Sequence, residues 1–180
     1  MVGQAVGVSI PHTSIPRDQR DPAAASGTRL LVVLERPDAA PDEWRQLLGS
    51  GCEVRCLDGD PTAFERTIAE QLGAARVGLR LHVAGSDAFT RRIQQLAFDA
   101  GMLPAEIRAA TSDEEIRVWC THCKAITEAP AANLLKCGGC GRQLLVYHHF
   151  SKRHGAYMGF QADAEAHGEL PQREPGMPWA

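Results

Sequence analysis

The chain has no excess of positive charge: its 180 residues carry a formal net charge of −3 and a mildly acidic pI. A general nucleic-acid binder usually shows a basic footprint. No stretch approaches the roughly 18 apolar residues of a membrane span. Residues 1–27 lack the basic start and long apolar run of a secretory signal. Nor does the sequence show a nucleophile–base pair, paired carboxylates at catalytic spacing, a flavin motif, or a glycine-rich phosphate cradle after its first apolar run. These absences turn the reading away from catalysis, nucleic acid and membranes. The length accommodates one ordinary domain, or a compact domain with a small added module.

Cysteine carries the strongest signal. Cys120-Thr121-His122-Cys123 and Cys137-Gly138-Gly139-Cys140 are two Cys-x2-Cys pairs with thirteen residues between them. Each pair puts two thiolates on a tight turn, and the intervening loop lets the second pair complete a tetrahedron. Four sulfurs suit Zn²⁺ and leave no open position for a substrate. The same quartet suits iron, as in rubredoxin-like electron carriers. Gly138, Gly139 and Gly141 fit the second turn. His122 lies between the first two cysteines and reads as a surface group or a partner of the site, since four thiolates already fill a tetrahedron. Cys52 and Cys56, in an apolar segment, read as buried core thiols. Free thiols fit a reducing compartment, and the expected location is cytoplasmic.

The chain divides into four parts. Residues 1–27, rich in Gly, Pro, Ser, Thr and Ala, form a loosely ordered N-terminal segment in which Val6–Ile10 could add a short strand. Residues 28–111 alternate strand and helix. Leu30–Leu34 is a continuous apolar run, as in a strand buried on both faces. Pro41-Asp42-Glu43-Trp44 opens a short helix with Trp44, Leu47 and Leu48 inward. Cys52–Leu57 is a second strand, and Pro61 starts a helix with Phe64, Ile68 and Leu72 on one stripe. Val77–Ala84 is a third strand. Ser86 or Asp87 caps a helix with Phe89, Ile93, Leu96, Ala97 and Ala100 inward, and Glu106–Ala110 is a fourth strand. This alternation predicts a parallel α/β sheet. Two loops at strand carboxyl ends, Glu35–Ala40 and Gly85–Phe89, lie where such sheets bind ligands. The second reads as a capped strand-to-helix turn, with an anion site as the alternative.

Residues 112–150 read as a four-Cys zinc ribbon. Ser112–Glu115 is a polar hinge, Arg117–Trp119 leads into the first knuckle and Leu144–Tyr147 leaves the second. So small a core should couple folding to metal. Residues 151–180 read as an extended interaction tail. The run Tyr147–Phe160 mixes aromatics, His148, His149, His154 and two cations. It reads as a strap laid on a partner, with a metal or proton-transfer role as the alternative. The remainder is acidic and Pro-rich, with Trp179 as a candidate anchor.

Two resemblances follow from these residues. Residues 79–109 resemble the last strand-turn-helix-strand of a ferredoxin-reductase-type nucleotide domain, with Ser86 where that family usually has proline and no Gly-rich motif after the first strand. The fold implied is a small, truncated, Rossmann-like domain that carries over no cofactor-binding residue. The run Val-Trp-Cys-Thr-His-Cys…Cys-Gly-Gly-Cys-Gly, then Tyr-His-His-Phe-Ser-Lys-Arg-His-Gly-Ala-Tyr-Met-Gly-Phe-Gln-Ala-Asp, resembles the small DmmA-like subunit of bacterial dimethylamine monooxygenase. That resemblance implies a multi-subunit enzyme oxidising dimethylamine to methylamine and formaldehyde with O₂ and NADPH. Its partners would be a reductase with flavin and an iron–sulfur centre, and an oxygen-activating subunit. This chain would be a structural or electron-relay component. A zinc-ribbon nucleic-acid adaptor is the rival from another class, with Lys136, Arg142, Lys152 and Arg153 near the module.

Overall fold

Two sheets share one helix. The computed structural model describes residues 29–48 and 51–176. The proposed strand at Val6–Ile10 and the anchor Trp179 lie outside the described residues. The first sheet contains β1 (Arg29–Leu34), β2 (Glu53–Cys56), β3 (Leu79–Ser86) and β4 (Ile107–Ser112), in the order β2-β1-β3-β4 and parallel throughout. The apolar run Leu31-Val32-Val33-Leu34 is buried on both faces, as its lack of alternation requires. Helices α2 (Pro61–Gly73) and α3 (Asp87–Asp99) cover one face. There Ile68 and Leu72 of α2 and Phe89, Ile93 and Ala97 of α3 pack on Leu31, Val33, Leu81 and Val83. Asp60 caps α2 by accepting the backbone N–H groups of Thr62 and Ala63 at 3.3 and 3.0 Å, and Pro61 fills its first turn. The opposite face is covered by a short 3₁₀ turn (Asp42–Trp44) running into α1 (Arg45–Leu48). Its main filler is the fully buried Trp44, with Leu47 and Leu48 partly buried beside it. Cys52 and Cys56, read from the sequence as buried core thiols, do pack against this core layer but are only half-buried there. Strand β2 is the sheet edge, so its side chains meet neighbours on one side only.

The second sheet is mixed, in the order β6-β5-β9-β8-β7. Its strands are β5 (Glu115–Cys120), β6 (Ile126–Pro130), β7 (Leu134–Lys136), β8 (Gln143–Ser151) and β9 (Ala156–Gln161). Two antiparallel pairs, β5–β6 and β7–β8, flank β9, which runs antiparallel to β8 and parallel to β5. The sequence reading places residues 156–161 in an extended tail. The structure puts them in the middle of this sheet, with Ala156 and Tyr157 buried. Its core comprises Ile116, Val118, Leu135, Leu144, Val146, Phe150 and Tyr157 together with Cys120 and Cys137. Beyond β9 the chain returns along the sheet: Glu174 N–H donates to Asn133 Oδ1 at 2.7 Å and Gly176 N–H to the Ala131 carbonyl at 2.8 Å.

Helix α3 joins the two sheets with charge. Arg92 reaches Glu65 on α2 at 2.9 Å and Glu128 on β6 at 2.6 Å, and Glu128 also holds Arg117 of β5 at 3.2 Å. The preceding residue, Arg91, closes a buried pair with Asp87 at 2.9 Å, and its guanidinium lies 5.5 Å from the centre of the Phe150 ring. Among the described residues no helix is long and apolar enough to cross a membrane.

The open parallel sheet has its switch point between β1 and β3, where ligands of such sheets bind. Here the two loops singled out from the sequence meet. Glu35, just after β1, accepts the Ser86 backbone N–H at 2.6 Å and the Ser86 hydroxyl at 2.9 Å. The Ser86 hydroxyl in turn accepts the Phe89 N–H at 3.2 Å and caps α3. The chain's own carboxylate thus takes the donors and the positive helix end that an outside anion would use. A Cβ on Gly85 would lie 2.5 Å from Glu35 Cβ and 2.9 Å from the Phe89 ring. Gly85→Ala is therefore expected to cost about 2 kcal/mol through overpacking. Urea unfolding checks this, and an unchanged midpoint would refute the packing account.

Candidate metal centre

The hairpins β5–β6 and β7–β8 each turn through one cysteine knuckle. Cys120 closes β5, and Cys123 lies in the turn before β6. Cys137 follows β7, and Cys140 precedes β8. The structure brings all four together: their sulfur atoms lie within 4.8 Å of one another, with Cys123–Cys137 at 3.6 Å and Cys120–Cys140 at 3.9 Å. Cys120 and Cys137 are buried, while Cys123 and Cys140 are half-buried on the outer side. None of the four is in a disulfide.

The local backbone favours thiolate. At the second knuckle the Gly139 N–H points at Cys137 Sγ at 3.4 Å. Burial pushes the Cys137 thiol up, but the N–H groups of Cys140 and Gly139 and the Cys123 thiol outweigh it and bring the group below its ordinary value. Cys140 is also lowered, chiefly by the Arg142 backbone N–H. Thr127 ties the knuckle to β6 by accepting the Gly138 N–H at 3.0 Å. Gly139 is needed for close approach, because a Cβ there would lie 2.7 Å from Ala125 Cβ and 3.0 Å from Cys123 Sγ. At the first knuckle Lys124 adopts a positive φ of 69°, the one such non-glycine among the described residues. It turns the chain so that its N–H returns to the Cys120 carbonyl at 2.9 Å.

The histidines stay out of the quartet. Among the described residues the metal-competent cluster is composed of cysteine alone. The exposed His122 sits 3.0 Å from an Arg142 Nη1 through its Nδ1. Arginine can only donate, so Nδ1 accepts and the ring proton sits on Nε2. His154 stacks on Trp119 with ring centroids 4.8 Å apart and planes 6° from parallel, and the Lys124 ammonium lies 4.7 Å from the Trp119 ring centre. The sequence reading missed a different histidine, His82 on β3. It is fully buried against Trp44, with ring centroids 4.6 Å apart, and neither ring nitrogen has a protein hydrogen-bond partner among the described residues. Only its place in an apolar strand could have flagged it.

A parallel α/β sheet joined to a mixed sheet that gathers four thiols around one point defines a metal-competent, two-sheet chain. Known proteins resemble part of it. Residues 117–160, which include all four cysteines, match the family described as dimethylamine monooxygenase subunit DmmA-like, C-terminal domain. The heme-dependent oxidative N-demethylase delta subunit of Ectopseudomonas mendocina (strain ymp) is 44% identical over 103 residues, covering 57% of this chain and 59% of that protein. The match thus spans about three fifths of the relative's own length. No solved structure matches the chain. The second sheet is thus similar to the DmmA-like C-terminal domain, in line with the sequence resemblance.

Proposed function

We propose that this chain is a non-catalytic accessory subunit of an NADPH- and O₂-dependent amine-demethylating complex, acting on dimethylamine to give methylamine and formaldehyde. One observation carries the reading: the DmmA-like segment and the four converging sulfurs occupy the same pair of hairpins. The ions at issue are zinc and iron. Zinc–sulfur bonds of ~2.3 Å set the edge of a regular tetrahedron at about 3.8 Å, and two of the sulfur pairs, 3.6 and 3.9 Å apart, bracket it. Cys120, Cys123, Cys137 and Cys140 would hold the ion, which when bound would supply a rigid crosslink between the hairpins. The ribbon would then comprise residues 112–150 with β9 added, followed by the rest of the 151–180 tail. Residues 28–111 would be a truncated, Rossmann-like element of reductase ancestry, its switch-point crevice filled by Glu35. Oxygen chemistry and reduction would belong to other subunits; the relative's name makes its own enzyme heme-dependent.

The second reading keeps the complex and changes the metal. Four thiolates also suit iron, and the N–H group aimed at Cys137 would stabilise charge on the sulfur in either case. The test is purification of the native assembly with metal analysis of each chain. A colourless chain with one zinc, co-purifying with oxidoreductase subunits, is the expected result. A red, reducible chromophore in this chain would establish the relay reading instead. Recovery of the chain with no oxidoreductase subunit would overturn the subunit reading.

A further inference from the structure

The outer face of the second sheet is built as an aromatic strip. Strand alternation turns Val118, Val146 and Gly159 inward, where they are buried, and turns their neighbours outward. Register then aligns Trp119 with Met158 and Met158 with Tyr147, so these three form one row across β5, β9 and β8. Phe160 stands beside Leu145 in the next row and meets Tyr147 edge-on, with centroids 5.0 Å apart and planes at 75°. Tyr147 and Phe160 remain 44% and 41% exposed. They are nonetheless fixed against each other, as Trp119 is fixed by His154 and by Lys124, whose ammonium donates to the Thr121 carbonyl at 2.6 Å. Large side chains already held in place lose little freedom on binding, which is why such residues anchor interfaces.

The charge around this strip is one-sided. Residues 116–161 contain six cations, Arg117, Lys124, Lys136, Arg142, Lys152 and Arg153, against one carboxylate, Glu128. Glu128 is engaged by Arg92 and Arg117. The whole chain is nevertheless at −3, so the rest of it is net negative. Lys152 and Arg153 are exposed in the β8–β9 turn, the turn whose His154 lies on Trp119. We propose that this face, the Trp119–Met158–Tyr147–Phe160 strip edged by Lys124, Lys152 and Arg153, docks a carboxylate-rich surface of another subunit. The inference rests on the accessory-subunit reading and names its contact surface. A protein partner fits better than a nucleic acid. A strand-binding platform offers open ring faces to bases, whereas here Trp119 is covered by His154 and the Tyr147–Phe160 rings are turned on each other. Opposite charge would steer the encounter, and the buried aromatics would set the lifetime.

The test uses the full-length chain purified from its native host with its co-purifying subunits. A zero-length carbodiimide joins lysine amines to carboxylates in direct contact, and the products are mapped by mass spectrometry. The expected result is crosslinks from Lys124 and Lys152 to Asp or Glu of a different subunit. Lys152→Glu with Arg153→Glu, and separately Tyr147→Ala with Phe160→Ala, should each weaken association at least about tenfold while the circular dichroism and metal content stay unchanged. Val54→Thr, on the far edge of the first sheet, should leave association intact. Assemblies that survive both double variants, with crosslinks mapping elsewhere, overturn this surface and leave the subunit reading standing. Crosslinks between two copies of this chain, or retention released by nuclease, also overturn it. A chain that recovers no other subunit at all fails the subunit reading itself.

Discussion

Cys137→Ser will remove bound metal and melt the second sheet while the first sheet persists. Cys137 is buried, faces Cys123 at 3.6 Å and lies next to β7, so its loss opens the tetrahedron from inside. The core it joins is small, with six large aliphatic or aromatic members besides Leu135, and such cores depend on crosslinks. Structural zinc in isolated modules contributes roughly 10–16 kcal/mol of apparent binding energy. Taking a lower figure of about 5 kcal/mol, because sheet pairing and α3 also hold this region, the melting temperature should fall by roughly 10–20 °C. A strong chelator should reproduce the effect on the unaltered chain. Because thiols must lose protons to bind, metal release should accelerate as pH falls. Calorimetry with metal analysis reads both quantities. Full metal content and an unchanged transition in Cys137→Ser would refute the assignment.

Stability will fall as pH drops from about 6.5 to about 4, and His82 will account for much of the slope. Burial, with the Arg108 charge beside it on β4, lowers the His82 pKa to about 4 from 6.5. The folded protein therefore holds the ring neutral in a range where the unfolded chain protonates it. The unfolded state binds more protons there, so stability is complete above pH 6.5 and is lost as pH falls toward 4. At ~1.36 kcal/mol per unit, the loss approaches roughly 3 kcal/mol. His82→Leu should flatten that slope and leave stability at pH 7 equal or higher, because it removes from an apolar layer two ring nitrogens that have no protein hydrogen-bond partner among the described residues. Denaturant midpoints at pH 7 and pH 4.5 check this, with Trp44 emission as a local reporter. A slope unchanged in His82→Leu would mean that carboxylates, and not this ring, govern the acid limb.

What the sequence made legible follows the range of the interactions involved. The first sheet could be read because its signals are local: the apolar run of β1, the Asp60-Pro61 start of α2, the Ser86 cap of α3 and the stripe Phe89–Ile93–Ala97. The convergence of the four sulfurs could be read because paired short spacings force turns whatever the rest of the fold does. Strand β9 could not. Ala-Tyr-Met-Gly-Phe-Gln shows no clean alternation, and its place depends on Gly159, where a Cβ would lie 2.6 Å from Val118 Cγ1 and 2.9 Å from Leu144 Cδ1. That glycine lets three strands approach, a fact visible only once they are paired. The filling of the switch point was hidden for a similar reason: Glu35 and Ser86 are 51 residues apart. Each loop looked ordinary alone.

Strand β9 is the last strand among the described residues and the middle strand of its sheet, and the hydrogen-bonded ladder between the two hairpins runs through it. Both hairpins are local and can close early during synthesis, each presenting half of the sulfur quartet. The sheet as a unit must wait until residues 156–161 emerge. Ion capture can therefore precede sheet completion: a nascent chain paused before Ala156 would already be yoked at its knuckles, shortening the loop that β9 must later close. On the proposed metal reading, maturation of this half would become a matter of timing, with ion supply to the growing chain setting how many copies are ready when β9 arrives.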